Sequence, residues 1–185
     1  DITEKGAQAI ATALSSMKLL QYLNTSCNTI GASGAQHIAT AIAESSHIQS
    51  LNLDSCHIGD IGAIAIAKSL PNFKQLTYLS LNNNNISNSG VQAIATSLPN
   101  CKQLQSLSLG SNKINNNGAQ AIAVGISSLI QLEWLSLHSN NIGNVGAQAI
   151  AISLANLSKL SNFYIYYNPI CDGAILLVRV LSTLP

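Results

Sequence analysis

The chain has 185 residues, 47% of them hydrophobic, a length and composition that accord with a folded domain burying a substantial core. Only 8% of residues are charged, against about a quarter in ordinary soluble domains, and a net charge of +1 offers no footprint for nucleic acid or an anionic membrane. No apolar run approaches the roughly 20 residues that span a bilayer, so Asn, Gln and Ser must solubilise the surface.

The first segment, ITEKGAQAIATAL (2–14), matches the second half of a unit that then recurs whole. Copies begin at Leu20, Ile48, Leu76, Leu104, Leu132 and Leu160, a period of 28 residues, and the last is one residue short before Gly173. One such unit cannot bury its own apolar side. The units must stack, so 1–185 is read as one domain with a partial repeat over 1–19.

Each unit changes its apolar period partway. In LTYLSL (76–81), Leu79 and Leu81 alternate with Tyr78, Ser80 and Asn82, which predicts a strand with one buried face. In SGVQAIATSL (89–98), Gly90, Ile94 and Leu98 recur every fourth residue along one side of a helix. A strand then a helix in every unit predicts an α/β stack, with a parallel sheet on one side and helices on the other. Helices are wider than strands, so the stack should curve with the sheet inside.

The pattern LxxLxLxxNxI followed by GAxxIAxxL resembles the leucine-rich repeat, in its ribonuclease-inhibitor-like form of about 28 residues with a full helix. The resemblance implies a curved right-handed solenoid with a concave parallel sheet and convex helices. It also implies protein binding, as in the sensing domains of intracellular immune receptors and the repeat-bearing effectors of intracellular bacteria. Near-identical GAQAIA copies suggest recent internal duplication, which suits the effector.

Four consecutive asparagines, 82–85, follow the third strand. The residue nine positions into each unit (Asn28, Asn84, Asn112, Asn140, Asn168) falls where the strand bends, and its amide can bond backbone groups that the bend leaves open. Cys56 takes this place in the second unit, a substitution that the ribonuclease-inhibitor-like family accepts. Asn88, Asn116 and Asn144, with Asp60 in the same place, are read as caps of the helices they precede. Asn82 and Asn83 should point outward.

Catalytic constellations are weak. The nearest to one is Cys27, Asp54 and His57 from adjacent units, and nucleophilic catalysis would need the thiol bonded to an oriented base. A metal site at Cys56 and His57 fails because neighbouring strand residues face opposite ways. No enzyme activity, cofactor or metal is expected. Cys101 shares a column with Met17, Phe73, Leu129 and Leu157 and reads as core, while Cys171 falls in a loop. No cysteine pair is placed for a disulfide, which points to an intracellular, cytoplasmic location, with delivery from a bacterium into a host cytosol as one form of it. Asn24, Asn85 and Asn156 begin N-x-S triplets, for which chance suffices in so Asn- and Ser-rich a chain.

Binding has better support. Positions two, three, five, seven and eight of each unit should face away from the helices, and they bring Trp134, His138, Tyr164, Tyr166 and Tyr167 together on the last two strands. Tyr22, Tyr78 and Asp54 stand on the same face, and Glu133 adds a second negative point. Trp and Tyr are common interface anchors, so a protein partner is expected here, with no nucleic acid, no membrane and a monomeric chain. The alternative is that the rings pack on a further C-terminal repeat or cover the end of the solenoid. Serines at 80, 108, 111, 136 and 139, with Asn82 and Asn83, should give a wet middle. Asp1 enters partway through a repeat, so either the chain is a piece of a longer array or its terminal helices act as caps. Two rival functions follow: choosing substrates for an enzyme or receptor whose other domains lie elsewhere, or self-association through solenoid ends.

Overall fold

The computed structural model describes residues 1–43 and 47–171. Six short strands, β1 (Tyr22–Asn24), β2 (Ser50–Asn52), β3 (Tyr78–Ser80), β4 (Ser106–Ser108), β5 (Trp134–Ser136) and β6 (Asn162–Tyr164), lie in chain order in one open sheet. All pairings are parallel, and the register follows the repeat: Tyr22, Ser50, Tyr78, Ser106, Trp134 and Asn162 stand side by side. Helices α1 (Glu4–Leu14), α2 (Gly31–Ile42), α3 (Gly59–Ser69), α4 (Asn88–Ser97), α5 (Asn116–Ile126) and α6 (Asn144–Leu154) alternate with the strands, and each packs on its neighbours in sequence.

The core lies between the two layers. Leu51, Leu53, Leu79, Leu81, Leu107 and Leu109 of the strand segments are fully buried against Ile66, Ile94 and Ile122 of the helices. Each such side chain contributes about 1.5–3 kcal/mol by leaving water. Gly90 and Ile94 are buried in α4 as the fourfold spacing requires, but Leu98 starts a tighter turn, Leu98–Asn100, with Pro99 in its first positions. Pro71 shapes the turn Leu70–Asn72 after α3 in the same way. Proline has no N–H to continue a helix. Phe73, Cys101, Leu129 and Leu157 then close the core beneath these bends. Met17, aligned with them, is 47% exposed instead, since among the described residues no helix packs on the far side of α1.

The ladder continues past β1 to β5, as in Cys27 N–H to the Asp54 carbonyl, and ends at a left-handed residue in position eight. Position eight (Cys27, Ser55, Asn83, Ser111, Ser139, Tyr167) has φ of 53 to 57° throughout. Asparagine tolerates this region well and a bulky side chain poorly. The expected helix of the last unit, beginning near Gly173, and any C-terminal cap lie outside the described residues.

Candidate functional site

Position nine forms the expected ladder. Asn112 is the clearest case: its amide donates to the carbonyls of Leu81, Leu109 and Gly110 at 3.0–3.1 Å, and its oxygen accepts from the backbone of Asn84 and Ile86. Asn84 and Asn140 are buried in equivalent roles, and Asn28 and Asn168 partly so. Each asparagine thus completes the loop of the unit before it. Cys56 substitutes with a thiol donating to the Thr25 carbonyl, 3.1 Å away, and burial pushes its pKa up against the opposing effects of the Asn28 backbone and the Thr25 side chain.

The helix-cap expectation needs correction. Asp60, Asn88, Asn116 and Asn144 sit inside the first turn of their own helices and bond the next unit instead. Asn88 Oδ1 accepts from Asn115 and Gly118 at the start of α5, Asn116 Oδ1 from Gly143 and Gly146 at the start of α6, and Asn144 Oδ1 from Cys171. Asp60 accepts from Ser87 N–H, Gly90 N–H and the hydroxyls of Ser87 and Ser89. Burial works to raise the Asp60 pKa, but these four bonds outweigh it and hold the carboxyl below its usual range. Orphan N–H groups at a helix start are met across the interface because the side chain of the preceding unit reaches them directly.

On the open face, Trp134 and Tyr164 have ring centroids 4.6 Å apart, His138 stacks on Tyr166 at 5.0 Å, and Tyr166 meets Tyr164 and Tyr167 edge-on at 6.3 and 5.2 Å. Five rings are therefore contiguous across β5, β6 and the segments after them. Tyr167 is 82% exposed and Tyr166 52%. Tyr22 lies at the other end of the sheet, its hydroxyl on Gln49, and Tyr78 stands midway and half-buried. Asp54 is engaged by Ser80 Oγ, Asn82 N–H and the Asn82 amide. Asn82 is consequently half-buried and fixed, its oxygen accepting from Gly110 N–H, while Asn83 is exposed and bonds Ser55.

The wet middle also differs from expectation. Ser80, Ser108 and Ser136 at position five are buried, with Ser80 Oγ donating to Asp54 and Ser136 Oγ set against the His138 ring. Gly110, whose role spacing did not reveal, is where the His138 ring lies down, and a Cβ there would run into that ring. The signal was present in the sequence as the one glycine in the position-seven column, directly beside a ring-bearing residue. Ser136 Oγ, 2.7 Å from His138 Nδ1, fixes the ring's other side.

The Cys27, Asp54 and His57 grouping does not assemble a nucleophile. The Asp54 carboxylate turns to the third unit, and Cys27 and His57 are both exposed on left-handed backbone. No cluster of metal-ligating side chains occurs among the described residues, and no described helix is long and apolar enough to cross a membrane. All four cysteines are free.

Comparison with known proteins adds the family. A search of the curated proteins returns no match. A leucine-rich repeat protein of Leptospira interrogans has a similar structure, with a TM-score of 0.58 and 19% identity over 93% of this chain and 50% of its own. The chain thus spans half the length of that protein. Actin-binding site 2 of leiomodin-1 is similar at a TM-score of 0.54 and 19% identity, over 95% of this chain and 86% of its own. At these identities the likeness is one of fold. A family profile described as Leucine Rich repeat matches residues 16–39, 44–67, 75–95, 100–123 and 132–151, more than half of the sequence. The chain belongs to the leucine-rich repeat family, whose arrays generally mediate protein–protein interaction.

Proposed function

We propose that the open, concave face of the sheet holds a partner protein, with Trp134, His138, Tyr164, Tyr166 and Tyr167 as its anchor and Tyr78, Asp54 and Tyr22 along the remaining contact. The carrying observation is the contiguous ring cluster, whose outermost member is held at φ 55°. A tyrosine in left-handed backbone costs on the order of 1 kcal/mol, and the other units place Cys, Ser or Asn there. Such strain at one exposed ring supports selection for contact rather than for folding. Large exposed apolar patches mark interaction sites.

The full helix in each unit whose second half is described supports the ribonuclease-inhibitor-like form of the repeat. Free cysteines support a reducing cytosol, and the near-identical helices support a bacterial effector acting in a host cell. The test is affinity capture from host or native-cell lysate, comparing the wild type with a Trp134→Ala/Tyr166→Ala variant whose folding is checked by circular dichroism. Proteins retained by the first and lost by the second support the reading; equal retention moves the interface to the helices or loops.

A further inference from the structure

A cleft of about 520 Å³ opens on the sheet face beside the ring cluster, lined among others by Tyr78, Ser106, Ser108, Glu133 and Trp134. It exists because β4 carries serines where its neighbours carry rings: Tyr78, Ser106 and Trp134 are in register. The two rings are therefore two strands apart, about 10 Å, which leaves room for one flat group between them. We propose that this cleft takes the guanidinium of an arginine presented by the partner protein, a reading that rests on the open face being a partner-binding surface.

Charge selects the occupant. The outward columns of the described sheet contain two acidic residues, Asp54 and Glu133, and no lysine or arginine. Asp54 is satisfied by Ser80 and Asn82, whereas Glu133 is exposed beside Trp134 and, among the described residues, only its backbone carbonyl accepts bonds, from Ser161 and Asn162. A neutral ring in the cleft would desolvate that carboxylate without pairing it. An arginine pairs its fork with Glu133 and lays its plane against Trp134 and Tyr78, which the rounder and more strongly hydrated ammonium of lysine does less well.

The experiment pans a displayed random dodecapeptide library on the immobilised wild-type chain and, in parallel, on Glu133→Gln. The enriched peptide and its arginine-to-citrulline form are then titrated, read by the emission of Trp134, the single tryptophan. Arginine should be enriched on the wild type alone, and either citrulline or Glu133→Gln should weaken binding about ten-fold. No arginine enrichment, equal enrichment on Glu133→Gln, or equal affinity of the citrulline peptide overturns the assignment. The lysate capture separates the two levels. A partner lost by Tyr166→Ala but held undiminished by Glu133→Gln removes the arginine site and leaves the surface standing, whereas a partner indifferent to Trp134→Ala/Tyr166→Ala removes the surface itself.

Discussion

Asn112 bonds five backbone groups out of water's reach, and replacing it strands three of them, the Leu81 carbonyl and the N–H groups of Asn84 and Ile86, since the Leu109 and Gly110 carbonyls keep Asn140 and Asn83 as donors. Asn112→Ala should cost about 3 kcal/mol in urea unfolding, the range for a broken buried network. Asp60 acts nearer the surface, and its lowered pKa gives its contribution a sign. The carboxylate stabilises the fold at pH above its unfolded value near 4, and that stabilisation is lost as pH falls through the folded pKa. Asp60→Asn, which copies the later units, should therefore flatten the acid limb of the stability curve between pH 5 and the folded pKa, by direct urea titration at each pH. Burial likewise pushes the Cys101 thiol up to about 11. A thiol reagent should label Cys27 and Cys171 in the native chain and reach Cys56 and Cys101 only on unfolding; prompt labelling of all four would contradict the burial described.

Among the elements, the strands and helices were legible because a repeated chain states its period many times over. The alternation in LTYLSL and the spacing in SGVQAIATSL both found their faces. What stayed hidden was contact between units. Asn88 opens α4 but serves α5, and nothing in the spacing says which of two helices an amide will reach. The ring cluster was legible as columns, while the cleft depended on Tyr78 and Trp134 flanking an absent side chain. Close helix packing was hidden too: a Cβ on Gly125 would run into the Ala95 carbonyl of α4, whereas at Gly143 it would meet the Asn116 side chain at 3.3 Å. Gly125→Ala should accordingly destabilise by about 1–3 kcal/mol and Gly143→Ala by much less, as calorimetry of the pair would establish.

At the scale of the whole molecule, stability is a sum over units and the interfaces between them. Gln75 precedes Leu76 as Gln103 precedes Leu104, so excising 76–103 joins equivalent positions. The shortened chain should fold with an unchanged type of circular dichroism spectrum and a lower melting temperature, and Asp54 should then accept from Gly110 N–H in place of Asn82. It should retain the ring cluster and lose the Tyr78 wall of the cleft. An unfolded product would show that the units are less interchangeable than their contacts indicate.

From the second unit on, each interface is stitched in both directions, the position-nine side chain reaching back to one loop and the first-turn side chain reaching forward into the next unit. The same places in the unit do this at interface after interface. An in-frame crossover between two copies in the gene would therefore add or delete a complete unit and regenerate most of these bonds at the new junction. The reach of the binding face can change in a single genetic event, before any side chain has had to adapt.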